Sequence, residues 1–181
     1  MCDAAVLRAP RAAPTWASWA FTARATANQY LRRYAEAVSD YEEAAERAFV
    51  GGSTSFFYMA RSRVQLCRRL AGDSDARLLP VGEALQHFRS AGTWGMVWEN
   101  VAITIALLAE DPDPRIDALW SALWEGTSQR RIPLWERLAP DLEALIAYRG
   151  PREVAEQQAM DAAAAGRLAL DLVDAKAGDG A

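Results

Sequence analysis

The chain has 181 residues, 51% of them hydrophobic and 24% charged, the proportions of a globular domain long enough to bury a core without disulfide or metal staples. Its formal charge of -4 and isoelectric point near 5.1 give no global attraction to nucleic acid or anionic lipid, so neither is an expected partner. No apolar run reaches the ~18 to 20 residues that span a bilayer, and residues 1–20 lack the pattern of a secretory signal, so no membrane contact and a cytoplasmic location are expected. Cys2 lies near a loose terminus and Cys67 on an apolar helical stripe, so no disulfide is expected. Lys176 is the only lysine among 20 basic residues, a bias that fits a GC-rich bacterial genome.

Residues 1–13 carry Pro10 and little periodicity and read as a disordered lead-in or the broken end of something longer. From there the periodicity is helical throughout, and an all-α fold is expected. Thr15 can cap a helix running to about residue 33. A second helix over residues 35–49 places Ala37, Val38, Tyr41, Ala44, Ala45 and Ala48 on one face, so the two form an antiparallel hairpin. Gly51 and Gly52 stop it, and Ser53 opens a helix whose stripe is Phe57, Ala60, Val64, Cys67 and Ala71 before Gly72. The fourth helix starts near Asp75 or near Leu79, because Pro80 fits a first turn or a kink, and ends near Ala91.

Thr93 can cap a fifth helix carrying Val97, Trp98, Val101, Ile105 and Leu108 inward. Asp113 before Pro114 is an N-cap followed by proline at the first helical position, opening a helix that Gly126 ends. These are three degenerate helical-hairpin repeats over residues 14–126. Residues 127–175 read as capping helices: one or two along Leu134, Leu138, Leu142, Leu145 and Ile146, one over residues 152–165 after Pro151, and one over residues 168–175. Residues 176–181 read as a frayed tail. The repeat unit of about 35 to 45 residues lies in the range of helical-hairpin solenoids.

A small-aromatic-small spacing recurs, as Ala37, Tyr41, Ala44 and again as Ala84, Phe88, Ala91. Small residues let two helices approach closely and the aromatic fills the gap between them. In the first hairpin Phe21, Ala25, Tyr34, Ala37, Tyr41 and Ala44 resemble the packing positions of the tetratricopeptide repeat, with a departure at Arg32, where a glycine is usual. The resemblance implies a right-handed α-solenoid of stacked antiparallel hairpins. A narrower one lies in Ala84 to Arg89, Ala91-Gly92-Thr93-Trp94, Trp98 and Asn100, which look like the ALxHFRxAGxWxxxWxN stretch of the C-terminal helical repeats of bacterial LuxR-type and AfsR-type signal-transduction ATPase regulators. Ala118 to Ala122, Leu142 to Leu145 before Gly150, and Ala162 to Asp171 resemble later segments of the same region. The resemblance implies the terminal sensor or scaffold part of a transcriptional regulator. The alternatives are an independent adaptor, or an α-helical small-molecule sensor or enzyme, which a buried polar cluster beside Trp94 and Trp98 would favour.

Catalytic chemistry finds no support. There is no phosphate-cradling G-x-x-x-x-G-K-[ST] loop, no basic helix-turn-helix and no nucleophile motif, and the lone histidine, His87, cannot make a zinc site. No catalytic residue, metal or cofactor is expected. Glu42, Glu43 and Glu46 lie off the apolar stripe and read as a solvated face. Trp94 and Trp98, Trp16 and Trp19, and Trp120 and Trp124 are pairs one turn apart, so each shares a helix face. Core packing is the ordinary role of such walls and a ligand groove the alternative. Trp16 and Trp19 stand apart, since on the first hairpin they lack an upstream cover and point to self-association through the N-terminal end. From Arg47 to Gly72 there are five arginines and no acidic residue. Arg61, Arg63, Arg68 and Arg69 on the first helix of the second pair are either a solvated face neutralised by the neighbouring glutamates or a concave groove for an acidic protein or peptide.

Overall fold

The computed structural model describes residues 13–73, 75–129 and 160–178. Among them are seven helices and no strand: α1 Pro14–Tyr30, α2 Tyr34–Val50, α3 Thr54–Leu70, α4 Leu79–Ser90, α5 Trp94–Leu107, α6 Pro114–Gln129 and α7 Ala162–Gly178. The expected stripe over residues 134–146, residues 152–159 of the helix expected after Pro151, and residues 1–12 lie outside the described residues. The chain forms two compact units that divide at Pro80 and Val81.

In the first unit α2 packs against both α1 and α3. Its core is Ala25, Ala37, Tyr41, Ala44, Ala45, Ala60, Val64 and Cys67, with Phe21, Val38 and Phe57 packed against it. The expected packing residues Ala25, Ala37, Tyr41 and Ala44 are all fully buried, and Tyr34 is half-buried. Alanines on the facing stripes bring the helix backbones close, and the Tyr41 ring fills the space they leave. Ser18 Oγ donates to the Ala44 carbonyl at 2.9 Å. Arg24 donates two hydrogen bonds to Asp40, which also accepts from Asn28 Nδ2 at 3.1 Å.

The turns repeat with a fixed spacing. Arg32, Gly52, Gly72 and Gly92 all have positive φ, at 58°, 68°, 75° and 66°, and each is twenty residues after the one before. At each, the residue after the positive-φ position donates its N–H to a carbonyl five residues back and the positive-φ residue donates three back, as in Arg33 to Asn28 and Arg32 to Gln29. This is the Schellman closure, which satisfies the last carbonyls of the helix and requires a left-handed residue. Arg32 therefore holds the glycine position without being one.

Several helix ends differ from the sequence expectation. Pro14 occupies the first turn of α1, with Ala13 rather than Thr15 at the N-cap, because a proline with fixed φ and no N–H suits that position. The helix ends at Tyr30, three residues early, where the Arg32 turn closes it. Helix α2 is one residue longer at each end than expected. Helix α4 takes the later of its two expected starts, with Pro80 in the first turn. Ala91, expected to pack between helices, instead sits in the turn after α4 and is exposed. The Gly92 closure ends the helix at Ser90, one residue short of carrying Ala91 onto the buried face.

In the second unit α5 packs against α6 and α7, and α6 against α7. Residues 97–106 of α5 are all buried, as expected of a helix enclosed on every side. Trp98 joins this core at 5% exposure, but Trp94, on the first turn, is 41% exposed, so the two do not form a packed wall. Phe88 and Ala84 are buried as expected. Asp113 Oδ1 accepts the Arg115 backbone N–H at 2.9 Å, the N-cap of α6. That helix continues through Gly126 to Gln129, since a helical glycine costs only about 1 kcal/mol. Helix α7 is one element from Ala162, through Gly166, where the expectation was one helix ending at residue 165 and another beginning at residue 168. A Cβ at Gly166 would stand 2.8 Å from Val97 Cγ1, so the glycine there serves helix approach rather than termination. Lys176, expected in a frayed tail, lies on α7 with its Nζ 2.8 Å from Asp111 Oδ2.

Candidate functional site

The arginines of α3 separate into two groups. Arg61 and Arg68 are seven residues apart, so on a helix they lie on one face about 10 Å apart along the axis. Both line a cavity of about 280 Å³ with Glu42 and Ala45 from α2, Val64 and Gln65 from α3, and Pro80. Arg68 Nη2 lies 2.8 Å from Glu42 Oε1. The Arg61 guanidinium stacks over the Phe57 ring, one turn back, at 5.1 Å from its centroid, which fixes its plane. Gln65 Oε1 accepts the Arg77 backbone N–H at 2.8 Å and ties the loop after α3 to the cavity wall.

Arg63 turns elsewhere. Its Nη1 is 3.4 Å from Thr26 Oγ1 and 3.4 Å from the Tyr41 hydroxyl, and its guanidinium lies 5.8 Å from the Tyr41 ring. That hydroxyl donates to Gln29 Oε1 at 3.1 Å and stands 3.0 Å from Thr26 Oγ1. Burial pushes the Tyr41 phenol above its ordinary pKa, with Arg63 pulling the other way. Arg63 thus belongs to the polar cluster over the first hairpin, not to the cavity. Arg69 is half-buried and is not among the residues lining the cavity.

Glu42 was expected, with Glu43 and Glu46, on a solvated face able to neutralise the arginines of α3, and it takes that role in the cavity wall. It meets Arg68 from twenty-six residues away, and no local spacing signals such a pair. Gln65 and Pro80 were likewise invisible as wall residues. Glu43 behaves as a local pattern suggests, pairing with Arg47 one turn on at 2.6 Å.

Glu99, Asn100 and Thr104 are buried beside Trp98, but Asn100 Nδ2 donates to the Met96 carbonyl and Thr104 Oγ1 to the Asn100 carbonyl. Those hydrogen bonds run along α5 itself. Burial pushes the Cys67 thiol up to about 12, so it stays protonated and inert. His87 is half-buried with its ring edge-on to Phe88 at 5.1 Å. Among the described residues no group of three or more His, Cys, Asp or Glu is placed to hold a metal ion, and no helix is long and apolar enough to cross a membrane.

Compared with family models, with curated proteins and with solved structures, the chain finds no match.

What the Arg61–Arg68 cavity can do is electrostatic. Two guanidiniums and one carboxylate leave a net positive wall able to receive carboxylate groups, bidentately where the fork is presented. The Arg68–Glu42 pair does not oppose this strongly. With Glu42 at 51% side-chain exposure, such a pair contributes about 0 to 1 kcal/mol, so an incoming carboxylate can exchange with Glu42 at little cost.

Proposed function

We propose that the chain is a non-catalytic helical-repeat module that binds an acidic segment of a protein or peptide in the α2–α3 cavity. The observation that carries this reading is that Arg61 and Arg68, alone of the α3 arginines, line one cavity. A polyproline-II segment has three residues per turn and rises about 3.1 Å per residue, so carboxylates at positions i and i+3 share one face about 9 Å apart, close to the ~10 Å separation of the two arginines.

The tetratricopeptide-like stack is part of the proposal. It is supported by the buried Ala37–Tyr41–Ala44 spacing and by left-handed turn residues at a regular twenty-residue interval, which together make a forty-residue hairpin unit. We also propose, on the motif from Ala84 to Asn100, that the module is the terminal part of a bacterial transcriptional regulator working in the cytoplasm. Sequence directly upstream of its gene tests that origin: an ATPase frame supports it, and unrelated genes favour a free-standing adaptor.

Binding is tested with a fluorescent peptide of Glu-x-x-Glu pattern and its Gln-x-x-Gln counterpart. Saturable binding of the first that weakens with salt supports the reading, and equal binding of both defeats it.

A further inference from the structure

A different surface is built from two chain segments that hold no side chain charged at neutral pH. Residues 14–23 and residues 48–60 contain no Asp, Glu, Lys, Arg or His. They meet at one end of the first unit: a Cβ on Gly51 would stand 2.9 Å from Thr15 Oγ1 and 3.1 Å from the Thr15 backbone nitrogen, so the turn after α2 lies directly on the start of α1. Around this contact Trp16 and Trp19 lie 6.5 Å apart by ring centroid, Trp19 reaches Phe56 at 5.3 Å, and Phe49 reaches Phe57 at 5.6 Å.

Much of this aromatic surface faces solvent. Trp16, Trp19, Phe49 and Val50 are 70%, 54%, 71% and 67% exposed. The fixed turn spacing allows α1 and α3 to be compared position by position at an offset of forty. Of the six residues that α3 buries, the counterparts on α1 include one buried residue, Ala25. The other five counterparts on α1 are only half-buried, so α1 is less covered at these positions than α3.

We propose that this end of the molecule docks against the same end of a second copy of the chain. Charge selects the occupant. A partner chosen by charge gains nothing from segments that carry none, whereas in a protein of net charge -4 these segments let two copies meet without apposing like charges. The only charged residue of α1, Arg24, is already bound to Asp40. Area agrees: the four exposed side chains offer on the order of 500 Å² of largely apolar surface, at the upper end for an isolated patch. Laid patch on patch about a two-fold axis, they give about 1,000 Å² in total, the lower end of specific interfaces.

Sedimentation equilibrium of the full chain over a concentration series decides the matter. The expected result is a monomer–dimer equilibrium that Trp16→Glu with Phe49→Glu weakens about tenfold or more, with the circular-dichroism spectrum kept, since both side chains are exposed. Arg61→Glu with Arg68→Glu is expected to leave the dimer intact, which separates this surface from the acidic-peptide cavity. An unaltered chain that stays monomeric to hundreds of micromolar overturns the proposal, whether or not any variant folds. So does a dimer unaffected by the Trp16 and Phe49 changes, or a monomer that instead binds uncharged phosphatidylcholine vesicles through Trp16.

Discussion

Tyr41 joins packing and polarity in one side chain: its ring is fully buried among alanines and its hydroxyl donates to Gln29. The two contributions separate by substitution. Tyr41→Ala removes the filler from a core whose small neighbours cannot close the gap and is expected to cost roughly 3 to 5 kcal/mol. Tyr41→Phe keeps the ring but leaves the buried Gln29 Oε1 without its donor, an expected cost of about 1 to 3 kcal/mol. Urea denaturation of the two variants measures both, and equal costs would show that the ring does not fill the hairpin. Arg32 is expected to move stability the other way. At φ 58° an L-residue carries a left-handed penalty of about 1 to 2 kcal/mol, which Arg32→Gly relieves against a smaller loss of unfolded-chain restriction. A gain of about 0.5 to 1 kcal/mol in the same assay is the expected outcome.

At the scale of elements, caps and ion pairs fix where helices begin and what they hold. Arg115 donates to Asp113 from both its guanidinium and its backbone N–H and holds the Asp113 carboxyl down at about 2 against an ordinary 3.8. The hydrogen bond from Lys176 lowers Asp111 in the same direction. A carboxylate whose pKa is depressed by folding stabilises above its unfolded value and loses that contribution as pH falls through the folded one. The stability supplied by Asp113 is therefore complete above about pH 4 and lost between 3.8 and about 2. Thermal melts from neutral pH down to that window are expected to show a steeper fall in midpoint for the unaltered chain than for Asp113→Asn, which keeps a capping oxygen without the titration. On α3 the opposite signature is expected. Arg61→Glu with Arg68→Glu abolishes binding of the acidic peptide, keeps helicity and lowers the melting midpoint only modestly, because both side chains are half-buried rather than part of the core and the Arg68–Glu42 pair that is lost contributes about 0 to 1 kcal/mol. If this double variant unfolds while Tyr41→Ala stays native, the faces of α3 are wrongly assigned.

For the whole molecule, the proposed non-catalytic role predicts that purified protein neither binds nor hydrolyses ATP. A phosphate needs a loop of converging backbone N–H groups and a lysine that reaches it, whereas Lys176 lies on α7 against Asp111. Equilibrium dialysis with ATP checks this, and micromolar binding defeats it. Binding of the acidic peptide and formation of the dimer use separate surfaces of the first unit, so the peptide is expected to bind monomer and dimer alike. A titration at protein concentrations above and below the dimerisation midpoint measures that independence.

The sequence by itself determined α1 to α6 and most of their inward faces, because helical periodicity and glycine turn closures act within a few residues of one another. Ala37, Tyr41 and Ala44, the Asp113 cap and the turn at Gly52 are all of this kind. Tertiary structure decided what depends on residues distant in the chain. It took Trp94 off the buried face, drew Lys176 onto Asp111, split Arg63 from Arg61 and Arg68, and set Glu42 in the wall of their cavity. Each of these is a meeting of side chains or helix ends whose free energy is realised only after the helices pack. A one-dimensional pattern carries the period of a helix but not the neighbour against which its charged side chains come to rest.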